Sequence, residues 1–497
     1  MTTFTRRELL KTTAVLGAGT LLLPDAVEAW AAPAPGVEVN DIQSQLNLTR
    51  VRRIVKPRSL DAVQAALRDA HAEGRPVSVC NGRHAMGGQQ FGTDMVLLDV
   101  NDLNRVVSFD REAGRVEVEA GIQWPDLMAY LEREQAGVAK PWAIRQKQTG
   151  IDTVGIGGSL GSNIHGRGLR FAPFIADVES FVLVDAAGRA RTCSRTENAE
   201  LFSLAIGGYG LFGVITHATL RLVPRSKVER VVKVIPVRDL LAEIAPRIEE
   251  GCLYGDCQFS TDLTGDGATH PGVLSCYRPI PMEAEIPPGQ KRLSKDQWLD
   301  LYLLARTDKL KAFGVYSSYY LSTNGQRYWS DTHQNAGSFR YYHEGVSRLP
   351  ESQRGTEMIT EVYVRSDAFV PFMTTARKDF VEHRVDPTYG TIRFIEKDAE
   401  SFLPWAKERY VCIVCNLHVV HTRKGKSKAK EDFRRIIDRA IEHGGSYYLT
   451  YHRFATRRQV QACFPQLPEF LRLKKKYDPQ ERFQSDWYRH HKEMFDV

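Results

Sequence analysis

The sequence predicts an α+β fold in two parts, and three observations predict it. Strand and helix patterns alternate between residues 52 and 223. Glycine-rich turns interrupt them at residues 80–92, 153–168 and 207–213. Beyond residue 226 the composition shifts: aromatics gather at Tyr316, Tyr319, Tyr320, Tyr328, Trp329, Phe339, Tyr341 and Tyr342, and strand patterns recur with helical ones between them. That division gives the second half its own strands with helices between them.

Arg52-Arg53-Ile54-Val55-Lys56 is a short strand that Pro57 ends. Ser59 then caps a helix with apolar Val63, Leu67 and Ala70 on one face. Residues 76–79 form the next strand and lead into Cys80-Asn81-Gly82-Arg83-His84-Ala85-Met86-Gly87-Gly88-Gln89-Gln90-Phe91-Gly92. Residues 95–100 and 115–120 alternate or run apolar and read as strands, and 124–133 reads as a helix. A second glycine segment, residues 153–168, reads as a loop. Strand 178–184, a turn at Ala186-Ala187-Gly188, helix 197–205 and strand 216–223 follow. In the second half the patterns give strands at 358–364, 391–396, 411–420 and 447–450, and helices at 369–383, 431–443 and 457–477. Gly444-Gly445 stops one of these helices.

A hydrophobic content of 42% and a charged content of 26% are ordinary for a globular chain. The net charge of +7 is mild for 497 residues. The basic runs at 421–430 and 473–476 read as solvated faces, so no nucleic-acid partner is expected. Eight cysteines in a chain of this length are no disulfide scaffold. Cys412 and Cys415 have CxxC spacing but lie in the alternating run 410–420, a strand on which positions three apart face opposite sides, so no metal site is expected. Residues 1–32 read as a bacterial Tat signal. Thr5-Arg6-Arg7-Glu8-Leu9-Leu10-Lys11 carries the twin arginine, residues 14–23 are apolar, and Ala29-Trp30-Ala31 is a small-x-small cleavage site. The apolar stretch is too short for a permanent span. The expectation is export through the Tat machinery to the periplasm or another extracytoplasmic space, with no stable membrane span after cleavage.

Gly155-Ile156-Gly157-Gly158 superficially suggests a Rossmann fingerprint, but no clear crossover strand with a ribose-binding acid some twenty residues on follows. The joint pattern is more specific. A glycine turn carries His84, a longer one carries Gly157-Gly158-Ser159 and His165-Gly166, and a third, residues 207–215, runs Gly-Gly-Tyr-Gly-Leu-Phe-Gly-Val-Ile into a strand. In this order the three segments resemble the FAD-binding domain of the vanillyl-alcohol-oxidase, or PCMH-type, family. The resemblance implies FAD as cofactor, held by Asn81, Gly82, Arg83, His84, Ala85, Gly88 and Gln89 from the first segment. Gly155, Gly158, Ser159, Ser162, Ile164 and Gly166 come from the second, and Gly213, Val214 and Ile215 from the third. Exposed backbone N–H groups of such segments cradle phosphates without a P-loop lysine. His84 occupies the slot where the family often carries flavin covalently, so a histidyl–FAD bond is implied. Arg83 stands where a second glycine is common and Ala85 where serine is common. His165 reads as a hydrogen-bonded loop residue near the pyrophosphate or ring.

The second half resembles that of sugar-lactone and alditol oxidases. The likeness assigns Arg393, on Thr391-Ile392-Arg393-Phe394-Ile395-Glu396, to the substrate, and His418, on Asn416-Leu417-His418, to hydroxyl recognition or proton abstraction. Tyr451, in Tyr451-His452-Arg453, is the second candidate base; no lysine follows where the lactone oxidases place one. Residues 477–488 resemble the family's closing Asp-Pro-x-x-x-Phe segment, which returns to the FAD domain. The resulting domain reading is a signal at 1–32, a linker at 33–46, a PCMH-type FAD-binding domain at 47–226, an antiparallel-sheet substrate (cap) domain with flanking helices at 227–475 and the returning segment at 476–497. The expected function is oxidation of a CH–OH group of a small-molecule substrate by hydride transfer to flavin, with oxygen or another electron acceptor taking the electrons. Two alternatives stand beside it: dehydrogenation of an amine or lipid C–H, and a secreted ligand-binding protein that keeps the fold without catalysis.

Overall fold

Three sheets carry the site, and the sequence dictates each. The computed structural model describes residues 36–264, 270–335 and 342–497. The twin-arginine segment and its cleavage site lie outside the described residues, as do Phe339 and Tyr341.

The first sheet has three parallel strands, with Val96–Asp99 between Arg53–Val55 and Val77–Cys80. Helix Leu60–Ala72 makes the crossover, and the Ser59 side chain accepts from the Ala62 N–H at its start. Its apolar face, Val63, Ala66, Leu67 and Ala70, packs on Val77, Val96 and Leu98. The second sheet has five antiparallel strands in the order Ala190–Ser194, Val178–Val184, Val214–Arg221, Arg115–Glu119, Val106–Asp110. These two sheets account for the N-terminal strand patterns, and the mixture of helices with largely antiparallel sheets is the α+β class the sequence predicts.

The third sheet has eight antiparallel strands in the order Arg327–Trp329, Lys227–Pro236, Pro271–Ile280, Tyr254–Phe259, Pro387–Ile395, Tyr410–Val420, Gly355–Val364, Ser446–Tyr447. One of its faces is apolar. Val362, Ile413 and Cys415 there meet Phe372, Phe380 and Ile436 of helices Phe369–Glu382 and Arg423–Glu442. The other face carries Cys412, Val414 and Asn416 of the same strands and looks toward the glycine segments. Cys412 and Cys415 therefore face opposite sides, and both are free thiols.

Several elements differ from the sequence reading. Residues 156–162 form a short helix, Ile156–Ser162, where the glycine content reads as a loop: Ile156 and Leu160, four apart, bury on one face and outweigh the low helix propensity of glycine. Helix 431–443 begins earlier, at Arg423, and takes in most of the basic run, which lies on its solvent side. The single helix expected at 457–477 is two, Arg457–Cys463 and Leu467–Tyr477, since Pro465 interrupts it. Helices Leu240–Glu249, Lys295–Thr307 and Lys309–Ser322 and strands Lys227–Pro236, Tyr254–Phe259 and Pro271–Ile280 were not expected.

Two contacts lock the second half onto the first. Asn163, in the left-handed region at φ 47°, ends helix Ile156–Ser162. Its side chain donates to Asp398 (2.8 Å) and accepts from the Ile175 N–H (2.9 Å), and its carbonyl accepts from Trp405 Nε1 (3.0 Å). The chain end returns to the first sheet: the Val77 N–H donates to the Arg482 carbonyl (2.7 Å) and the Gln484 N–H to the Val77 carbonyl (2.9 Å). No helix among the described residues is long and apolar enough to cross a membrane.

Candidate functional site

Between the glycine segments and the polar face of the eight-stranded sheet lies a cavity of about 980 Å³. That is the upper end of the range for ligand pockets, about 300–1,000 Å³.

The His84 turn and the second glycine segment form one wall and are pinned to each other. Asn81 Oδ1 accepts from the N–H groups of both Gly82 and Gly155, each at 2.7 Å. A Cβ at Gly82 would lie 2.2 Å from the Thr153 carbonyl oxygen, so only glycine permits this approach. His84 Nε2 lies 3.0 Å from Thr153 Oγ1. Burial pulls its pKa down to about 4, so the imidazole is neutral at physiological pH. Arg83 holds the unusual φ of 58°, and its guanidinium reaches Asp99 at 3.2 Å.

Helix Ile156–Ser162 sorts its small residues by face. Gly157 packs on Ala120, where a Cβ would come to 3.0 Å. Ser159 is turned inward, accepting from Trp124 Nε1 and donating to the Gly155 carbonyl. Gly158, Gly161 and Ser162 face the cavity at helical spacing. A Cβ at Gly161 would meet nothing within 4 Å, and one at Gly158 nothing closer than 3.8 Å. This wall is bare backbone with room beside it. The third segment adds residues 209–213 and Ile215, with Gly213 at φ 151°.

Of the cofactor residues named from sequence, Asn81, Gly82, Arg83, His84, Ala85, Gln89, Gly158, Ser162, Ile164, Gly213 and Ile215 line the cavity. Gly88, Gly155, Ser159, Gly166 and Val214 do not. Gly155 caps the start of the helix and Ser159 is on its inner side, Gly88 accepts from the Trp487 N–H, Gly166 accommodates the Lys147 carbonyl, and Val214 is buried inside its sheet.

The opposite wall is built on Glu361. His165 Nδ1 faces the Gly166 carbonyl at 3.1 Å, and Nε2 lies 2.7 Å from Glu361 Oε1. Tyr363 donates to Oε1 at 2.5 Å, Tyr451 to Oε2 at 3.0 Å, and Cys412 Sγ to Oε1 at 3.4 Å. Burial alone pushes the Glu361 pKa up. The His165 charge, these hydrogen bonds and nearby Arg393 outweigh it and hold the group at about 2. His165, Glu361 and Cys412 bring one potential ligand atom each within 4.8 Å, but the carboxylate is already taken up by these donors. Four residues along the same strand, Glu357 also faces the cavity, and its surroundings act oppositely. Burial raises it to about 7, against hydrogen bonds from Asn416, Thr388 and Gln43.

The three catalytic candidates separate. Arg393 lines the cavity, buried, and its Nε has no partner among the described residues. Tyr451 lines it too, but its proton is committed to Glu361, which drives its pKa further up after burial; in this arrangement it is a donor and not a base. His418 lies outside the cavity lining. It shares a strand face with Asn416, but two residues further on it has passed the cavity's edge, where Nε2 meets the Gln353 carbonyl (2.8 Å) and Nδ1 the Tyr342 hydroxyl (3.2 Å). Glu357 and Glu361 are the residues sequence reasoning missed. Their signal was two carboxylates four apart in a strand otherwise rich in buried residues, hence on one face.

The donor set suits FAD. Glycine backbone with open space beside it faces the cavity, a neutral histidine stands at the wall, and polar atoms of the far wall (Arg393 Nε, Asn416 Oδ1, Gln258 Oε1) are buried without partners among the described residues. Comparison with known proteins agrees. Residues 51–194 match the family model described as FAD binding domain. An uncharacterized oxidoreductase, ORF5 in the fasciation locus of Rhodococcoides fascians, is 35% identical over 170 residues, 34% of this chain and 37% of that protein. The L-gulonolactone oxidase of Mus musculus is 30% identical over 170 residues, with the same shares. The D-arabinono-1,4-lactone oxidase of Yarrowia lipolytica is 28% identical over 192 residues, 38% of this chain and 35% of that protein. The matches thus span little more than a third of these relatives. The chain carries a PCMH-type FAD-binding domain. About a third of the chain is similar, at modest identity, to proteins that include sugar lactone oxidases.

Proposed function

We propose that the chain is an exported FAD-dependent oxidoreductase that oxidises a CH–OH group of a small hydroxylated molecule, with its flavin bonded to His84. The observation that carries the reading is the single cavity walled on one side by the glycine segments and His84 and on the other by Glu357, Glu361, Tyr451 and Arg393. The names of several relatives supply lactone oxidation as a chemical precedent.

Residues 81–85 and Gln89, with Gly158, Gly161, Ser162, Gly213 and Ile215, would hold FAD. When bound, FAD supplies the hydride acceptor, and oxygen or another acceptor takes the electrons onward. The remaining work falls to the chain's own groups. Arg393 orients the substrate oxygen through its uncommitted N–H. Tyr451, its own proton given to Glu361, accepts a hydrogen bond and fixes the substrate's position. Glu357, poised near neutrality and without a cation partner within 4 Å among the described residues, takes the hydroxyl proton as the C–H hydride leaves. The products of the substrate half-reaction are a carbonyl, a proton on Glu357 and a hydride, which carries the C–H hydrogen and both electrons to the acceptor. Burial keeps His84 neutral, the protonation state in which an imidazole acts as a nucleophile.

Acid precipitation should leave the flavin colour with the wild-type protein and release it from His84→Ala; colour that stays with the variant rejects His84 as the attachment site. Because the folded-state pKa of Glu357 is raised, activity should rise as pH passes through about 7, where the carboxyl ionises. Glu357→Gln should lower kcat by about a hundredfold or more and abolish that limb, in line with the usual share of a general base. An unchanged pH profile in the variant would assign the proton elsewhere. Export rests on the twin arginine: replacing Arg6 and Arg7 by lysine should leave the protein in the cytosolic fraction, and unaltered export would remove that part of the reading.

A further inference from the structure

We propose that the end of the cavity beneath strands Lys227–Pro236 and Arg327–Trp329 binds the anionic aromatic end of an extended aryl-acid substrate. The inference rests on the oxidation reading above and names its substrate class.

This end is away from the Glu357–Glu361 wall. Lys227–Pro236 and Pro387–Ile395, which carries Arg393, are three strands apart, about 14 Å at about 4.8 Å per step. Two guanidinium groups stand here. Arg230 donates to the Tyr277 hydroxyl (2.7 Å from Nη2 and 3.1 Å from Nε) and to Thr323 Oγ1 (2.9 Å). It has no carboxylate within 4 Å among the described residues. Arg167 Nη1 reaches the same Tyr277 hydroxyl at 3.3 Å and lies 3.8 Å from Asp256, its Nε without a partner among the described residues. Two cations thus face one carboxylate, leaving one positive charge in a desolvated wall, where an unpaired charge is unfavourable until an anion joins it.

The walls around that charge are rings. The Arg230 guanidinium lies 5.3, 5.3 and 5.0 Å from the Tyr277, Tyr320 and Tyr328 ring centres. Tyr316 and Tyr320 of helix Lys309–Ser322 stand 4.5 Å apart and face the cavity. Such flat faces hold a planar ring by offset or edge contacts. His333, 5% exposed and stacked at 4.2 Å on Tyr277, has neither ring nitrogen partnered among the described residues. Burial holds it neutral, so it offers one donor and one acceptor into the cavity. A polyol or lactone would satisfy the orphaned polar atoms but leave the charge uncompensated and the rings uncovered. A planar acid answers all three, and the distance to Arg393 requires that it be long.

The test uses FAD-loaded full-length protein, 4′-(hydroxymethyl)biphenyl-4-carboxylate as the acid and 4-biphenylmethanol as its uncharged counterpart. Calorimetry should show the acid binding at least about tenfold more tightly, the worth of a charge-assisted hydrogen bond. Arg230→Gln should erase that preference, and Tyr320→Ala should weaken both ligands, with thermal melting confirming that each variant is folded. Equal affinities for the two ligands, or an acid preference untouched by Arg230→Gln in a folded variant, overturns the proposal. Anaerobic bleaching of the flavin separates it from the oxidation reading. A lactone that bleaches while the acid fails to bind removes the aryl-acid end and leaves the oxidase standing. Acid that binds through Arg230, with no bleaching by any hydroxyl compound, does the reverse.

Discussion

The 2.7 Å contact between His165 Nε2 and Glu361 Oε1 fixes where the glycine segments meet the eight-stranded sheet. His165 follows helix Ile156–Ser162 by three residues and Glu361 lies mid-strand, so one buried contact sets the width of the cavity between them. Tyr363, Tyr451 and Cys412 all take their position from the same carboxylate. Asn163, two residues before His165, repeats the tie through Asp398 and Trp405. A buried carboxylate with a single partner would be a liability; four donors around Glu361 make it a fixed post.

The same strand shows how environment assigns roles to like residues. Glu357 and Glu361 point to one face, yet one is raised to about 7 and the other held at about 2. Both are buried. The difference is the company: amide and hydroxyl groups for Glu357, a histidine and a nearby arginine for Glu361. Divergent proton affinities in neighbouring carboxyls are how a site separates a proton carrier from a permanent charge. At the far end of the sheet the balance reverses sign, with two arginines against Asp256, so the cavity has a polarity along its length.

Much of this was legible in the sequence. The Ser59 cap, the strand 178–184 and the glycine turns are local signals, and local chemistry fixed them. The three glycine segments could be recognised jointly, and the family model covers 51–194. What local signals do not carry is register. Whether Asn416 and His418 both reach the cavity depends on where the strand passes its edge, and only Asn416 does. Strand Lys227–Pro236 mixes charged and apolar residues without clean alternation, because it presents Arg230 to the cavity. Helix Lys309–Ser322 has no buried residue, since its inner face looks onto the cavity and not onto a core, so its periodicity was weak. In each case the functional requirement disturbed the pattern that would have revealed the element.

The central claim is that one cavity joins a flavin-binding wall to a proton-handling wall. The most direct measurement is the electron density of the purified protein crystallised after expression with FAD supplied. The account predicts a dinucleotide along Gly158, Gly161 and residues 209–213, continuous with the His84 ring and ending below Arg393 and Glu357. Density for FAD at any other place, or a cavity that stays empty in protein shown to be folded and flavin-saturated, would contradict it.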